Sequence, residues 1–171
     1  MKIPFDHGHL NIVVKGNLET QMPLFILPGG PGISHKLYVP YCDNFIDDYC
    51  VIYFDPPSCG DSSQYSKAYY HIDKYIAAVE AIRCYLSLDK ICLLGISYGA
   101  MAGLKYATQF HPHIASAILL ACAPHYCFLE MAKNNLRSVG TAEQQAICQH
   151  LWQGSLKDQA HAQQFFDIMA P

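Results

Sequence analysis

The run Gly95-Ile96-Ser97-Tyr98-Gly99 constrains this chain more than any other stretch of it. The apolar residues Ile91-Cys92-Leu93-Leu94 before it read as a buried strand, and the small-residue segment from Ala100 to about Phe110 after it reads as a helix that His111-Pro112 terminates. A strand that passes directly into a helix must turn sharply at the residue between them. Glycines two residues away on either side supply the room for that turn and force Ser97 into strained backbone angles. A serine hydroxyl is a poor nucleophile unless it is held exposed, beside a base, with donors waiting for the oxyanion. The turn meets the first of these conditions and makes Ser97 the candidate nucleophile.

The remaining pattern alternates short β-rich runs with longer helical ones, as in a mostly parallel sheet covered by helices on both faces. Leu10 to Val14 reads as an early strand. Leu24 to Leu27 reads as another and ends in Pro28-Gly29-Gly30-Pro31-Gly32, which forbids any regular element. Cys50 to Phe54 is a continuous apolar run, the mark of a strand buried on both faces, and stops at Asp55-Pro56-Pro57-Ser58-Cys59-Gly60. From Ile72 to Leu86 the residues Ile72, Tyr75, Ile76, Val79, Ile82 and Leu86 form one helical stripe. Glu80 and Arg83 lie off that stripe and read as a solvated ion pair. Ala115 to Ala121 supplies one more strand. Beyond Pro124 the chain turns to polar, Gln- and Ala-rich helices. Thr141 with Gln144 makes a capping box, Ile147, Cys148, Leu151 and Trp152 form the stripe that follows, Gly154 closes that helix, and Ser155 with Asp158 starts another.

Composition removes several function classes. Lys and Arg number 11 against 14 Asp and Glu, with no run of like sign, so no basic stripe exists to track nucleic acid. The N-terminus meets charge and proline before a signal-like apolar run can form, and no later run has membrane-spanning length. Cys50, Cys92 and Cys122 sit in apolar strand-like runs, where free thiols behave as small hydrophobes. These features predict a soluble, reduced, cytoplasmic protein. No CxxC occurs, and Cys122 and Cys127 have no second pair, which argues against structural zinc.

An acyl-transfer site at Ser97 needs two oxyanion donors and a base. The helix after Ser97 aims its first amides at the turn, so the Tyr98 N–H is one donor. The glycine loop before Ile33 is the candidate for the second, with Gly30 chosen because glycine lets an amide approach a substrate oxygen closely. Among the histidines, His125 follows the last visible strand, but its spacing does not guarantee reach to Ser97. His35 reads as a polar loop residue able to line the pocket. His111 sits at a helix end, and His7, His9, His71, His150 and His161 read as surface.

Three motifs in order resemble the proline iminopeptidase branch of the α/β-hydrolase superfamily. Leu27-Pro28-Gly29-Gly30-Pro31-Gly32 resembles its HGGPG loop and Phe54-Asp55-Pro56-Pro57-Ser58-Cys59-Gly60-Asp61-Ser62 its DQRGxGxS segment. Gly95 to Gly99, followed by Tyr106, Ala107 and His111-Pro112, resembles its nucleophile segment. The likeness covers roughly residues 5 to 125. It departs at Pro28, where the family has a histidine, and at Pro56-Pro57, where the family has Gln-Arg.

The resemblance implies a three-layer α/β sandwich, with residues 1–125 as the N-terminal part of the hydrolase core and 126–171 as the start of a helical cap. It also implies an acyl-enzyme on Ser97, an N-terminal proline or small residue as the acyl group of a small-molecule or short peptide substrate, and no metal or organic cofactor. An esterase or C–C bond hydrolase of the same fold is the alternative, and a non-catalytic fragment is another. In this superfamily the triad acid and histidine follow the nucleophile on later strands. Only one strand is legible after Ser97, and Asp167 falls in cap-like sequence, within the apolar end Phe165 to Pro171. The expectation is therefore a chain truncated before its last strands and catalytically incomplete.

Overall fold

A strand buried on both faces sends alternate side chains into two different cores, and the apolar runs of this chain do so. In the computed structural model, which describes residues 1–30 and 32–169, Phe25, Leu27, Ile52, Phe54 and Leu93 point into one core while Leu24, Ile26, Val51, Tyr53 and Leu94 point into the other. Pro31 of the glycine loop and Ala170 and Pro171 at the end of the apolar C-terminal cluster lie outside the described residues.

Six strands, β1 (Lys2–Phe5), β2 (Gly8–Lys15), β3 (Met22–Leu27), β4 (Tyr49–Phe54), β5 (Ile91–Ile96) and β6 (Ile114–Leu120), form one sheet in the order β1-β2-β4-β3-β5-β6. β4, β3, β5 and β6 run parallel, and β1 and β2 add an antiparallel edge. The sheet is thus mostly parallel, as the alternating pattern requires. β1 alternates the exposed Lys2 and Pro4 with the buried Ile3 and Phe5. It is four residues long, carries Pro4, and sits at the edge, where a missing N–H does least harm.

Helices α1 (Val39–Cys42), α2 (Ile72–Tyr85) and α3 (Tyr98–Gln109) belong to the same unit of the chain. α2 buries Tyr75, Ile76, Ala78, Val79 and Ile82, and α3 buries Ala102 and Tyr106, all against the first core. The second core is closed by Cys42 together with Tyr38 and Val39, so the third layer of this unit is thin: a single turn of helix flanked by 3₁₀ turns.

Two sequence expectations are corrected here. Glu80 and Arg83 are not a solvated pair. Their side chains are 21% and 12% exposed, Arg83 donates to both Glu80 oxygens, and the Tyr106 hydroxyl of α3 donates to the same carboxylate at 2.6 Å. Periodicity places these residues off the α2 stripe correctly, but it cannot see α3 arriving beside them. α3 starts at Tyr98 rather than Ala100, because its first turn closes directly on Ser97.

The chain divides into two compact units, Met1–Pro124 and His125–Pro171. The second holds α4 (Cys127–Val139), α5 (Ala142–Trp152) and α6 (Gln159–Met169). The Thr141–Gln144 capping box is formed in both directions, at 3.2 and 3.0 Å. Ile147 and Cys148 are buried as expected, whereas Leu151 is exposed. Among the described helices none is long and apolar enough to cross a membrane.

Candidate active site

Ser97 follows the last residue of β5, an interior strand of the sheet, and precedes α3. Its backbone lies at φ 55° and ψ −117°, a region that a non-glycine residue occupies only when its surroundings hold it there. Two contacts do so. The Ser97 N–H donates to Leu120 O at the end of β6 (2.9 Å), and its carbonyl accepts the amides of Ala100 and Met101. The side chain is exposed. The flanking glycines are sterically required: a Cβ on Gly95 would meet the Gly99 and Ala100 backbone, and one on Gly99 would overlap the Leu27 carbonyl oxygen.

That last contact brings the β3 loop onto the turn. A Cβ at Gly29 would lie 3.4 Å from the Ser97 Cβ and 2.9 Å from Ile96 O, so the loop backbone rests directly against the serine. Gly29 donates its N–H to the Tyr38 hydroxyl (2.9 Å), and the Tyr75 hydroxyl donates to Pro28 O (2.9 Å). Gly30 follows at φ 114°, half-buried. Among the described residues neither the Gly30 N–H nor the Tyr98 N–H has a hydrogen-bond acceptor.

Behind the loop lies a fully buried carboxylate. Asp55 accepts from Ser34 Oγ (2.8 Å), the His35 N–H (2.9 Å) and His35 Nδ1 (2.8 Å), and also from Asn11 Nδ2 (3.0 Å) and the Asp61 N–H (3.0 Å). Burial pushes its pKa up, but the donors from Asp61, His35 and Ser34 outweigh that effect and hold it at about 2. The loop after β3 is thereby tied to the loop after β4. His35, read from sequence as a polar loop residue, is instead buried in this knot, with its Nδ1 held by Asp55.

A cleft of about 320 Å³ opens beside the turn, with Gly29, Gly32, Pro56, Pro57, Tyr75 and Tyr98 in its wall. The departures at Pro56-Pro57 therefore line this space. No Asp or Glu is among the described residues that line it, although His71 is. His125 is exposed and lies in the second unit, its Nδ1 accepting from the Cys127 N–H. His111 is exposed, and His113 pairs with Asp89 O. His9, read as surface, is half-buried and bridges Ser63 and Asp61. Among the described residues no three His, Cys, Asp or Glu are placed to hold a metal.

Asp55, Tyr38 and Tyr75 are the site-building residues that sequence reasoning did not single out. Asp55 carried a signal, standing at the end of a buried strand before a glycine. The tyrosines carried none: Tyr75 reads only as an apolar position of its helical stripe, and Tyr38 belongs to no pattern.

Comparison with known proteins identifies the fold family. A family model described as alpha/beta hydrolase fold matches residues 22–144. A proline iminopeptidase of Lactobacillus acidophilus is 32% identical over 124 residues, which is 70% of this chain and 42% of that protein. The chain thus spans less than half the length of that relative. Among solved structures, the proline iminopeptidase of Mycobacterium smegmatis superposes with a TM-score of 0.72 at 23% identity, over 96% of this chain and 57% of that one. The esterase RhEst1 of Rhodococcus sp. ECU1013 gives 0.60 at 23%, over 70% and 43%.

Proposed function

Because the chain belongs to the α/β hydrolase fold family, we propose that it carries the nucleophile and oxyanion site of a serine hydrolase working through an acyl-enzyme on Ser97. The observation that carries this reading is the strained, exposed Ser97 at the end of β5, packed against the Gly29 backbone, with the amides of Gly30 and Tyr98, which have no acceptor among the described residues, on the two adjoining segments. In the reaction the Ser97 oxygen gives its proton to a base and attacks a carbonyl, those two amides stabilise the oxyanion, the C–N or C–O bond breaks as the amine or alcohol leaves with that proton, and water then hydrolyses the acyl–Ser97 ester to a carboxylic acid and the free serine. Residues 126–171 are the start of a helical cap.

The acyl group we favour is an N-terminal proline or another small residue, on the strength of the iminopeptidase relatives and the three motifs shared in order. A second reading, an esterase or C–C bond hydrolase of the same fold, is favoured by the departures at Pro28 and Pro56-Pro57, where the iminopeptidase motifs carry a histidine and Gln-Arg. Labelling with a fluorophosphonate, followed by peptide mapping, tests the common premise. The label is expected on Ser97 and lost in Ser97→Ala; labelling that survives this substitution overturns the reading. Proline arylamides against short acyl esters then separate the two substrate classes.

A further inference from the structure

The β3 loop and the first turn of α3 come from opposite sides of β5's turn, and an oxyanion site built from both works only if they keep their spacing. The end of β3 is poorly placed to hold itself. Beyond Leu27 the ladder to β5 stops, and the buried Pro28 carbonyl must find a donor outside the sheet. Residue 28 has neither an N–H nor a polar side chain of its own to anchor it.

We propose that Tyr75 is the positioning residue that keeps the two halves of the oxyanion site in register. Its hydroxyl donates to Pro28 O at 2.9 Å, the same carbonyl oxygen that a Cβ on Gly99 would meet at 2.5 Å. Its ring packs edge-on against Tyr98, with centroids 5.9 Å apart, and edge-on against Phe54 at 5.5 Å. One side chain therefore bonds the segment that carries Gly30 and braces the residue whose amide is the other donor. Tyr75 is 5% exposed, and burial pushes its phenol well above the usual range, so the hydroxyl stays a neutral donor. It does not touch the reacting atoms. The proposal rests on the assignment of Ser97 and its two amides given above.

Tyr75→Phe deletes one oxygen and keeps the ring. Tyr106→Phe is the matched control: also buried, its hydroxyl donates to Glu80 instead of the loop. Two readouts are taken on each, the exchange rate of the Gly29 amide by NMR and the rate of fluorophosphonate labelling at Ser97. In Tyr75→Phe the Gly29 amide, read relative to the slowest-exchanging amides of β4 so that a global loss of stability cancels, is expected to exchange about tenfold faster and Ser97 to label about tenfold more slowly, with Tyr106→Phe moving neither. Unchanged Gly29 exchange in Tyr75→Phe, or equal effects in both variants, overturns the proposal. If the label proves not to lie on Ser97, the serine-hydrolase reading fails, while Gly29 exchange still decides whether Tyr75 holds the loop. In the unsubstituted protein the Tyr75 hydroxyl proton should exchange slowly; one averaged with water overturns the proposal whatever the fate of the variant.

Discussion

Asp55 illustrates how one buried side chain fixes a loop. Its five donors come from Asn11, Ser34, His35 and Asp61, and their attraction for the ionised form lowers its pKa from the ordinary 3.8 to about 2. A depressed carboxylate stabilises the fold above its unfolded pKa and loses that contribution as pH falls through the folded value. The contribution here, about 2 kcal/mol, is full above roughly pH 4 and disappears toward pH 2. Asp55→Asn, which turns an amide toward donors, should lower stability by about 2–4 kcal/mol at pH 7. The gap to the parent should narrow below pH 4, as measured by urea unfolding at pH 7 and pH 2.5. Gly99 is equally unforgiving for a steric reason. Gly99→Ala drives a methyl into the Leu27 carbonyl and should cost several kcal/mol, seen as a fall of about 10 °C or more in Tm.

At the scale of elements, helices are held by contacts that join them to their neighbours. The Glu80–Arg83 pair within α2 becomes structural through the Tyr106 hydroxyl of α3, which accounts for the Glu80 pKa of about 2: burial raises it, but the hydrogen bonds from Arg83 and Tyr106 prevail. Tyr106→Phe should lower global stability by about 1 kcal/mol without altering the Ser97 turn, a loss visible in the urea midpoint. α5 depends instead on its own start. Thr141→Ala removes one arm of the capping box and should cost about 1 kcal/mol, with the exchange of amides in the first turn of α5 speeding up while those of β3 and β5 stay protected.

For the whole molecule, both apolar cores lie within Met1–Pro124. In the second unit α5 buries Ile147 and Cys148, and the Cys148 thiol lies 3.6 Å from Met169 Sδ of α6. A chain ending at Pro124 should therefore keep the sheet and the Tyr75–Pro28 bond, with near-ultraviolet dichroism of the buried tyrosines preserved. Loss of that signal on truncation would show that residues 125–171 are needed to complete the first unit.

What sequence alone determined is what neighbouring residues decide among themselves. The G-x-S-x-G turn, the buried strands, the helix after Ser97 and the Thr141 cap all follow from residues within a few positions of one another, and each is present, although α3 begins two residues earlier than the pattern placed it. The strained Ser97 was legible because its strain comes from the immediate strand-to-helix junction. What the tertiary structure decided is which distant groups meet. The His35–Asp55 bond spans 20 residues, Glu80–Tyr106 spans 26 and Tyr75–Pro28 spans 47, and none has a periodic or compositional trace. Each forms only after the parallel sheet has closed and brought loop ends together. The burial that closure creates leaves every polar group in need of a partner, and that need selects a hydroxyl, an imidazole or a carboxylate from far along the chain.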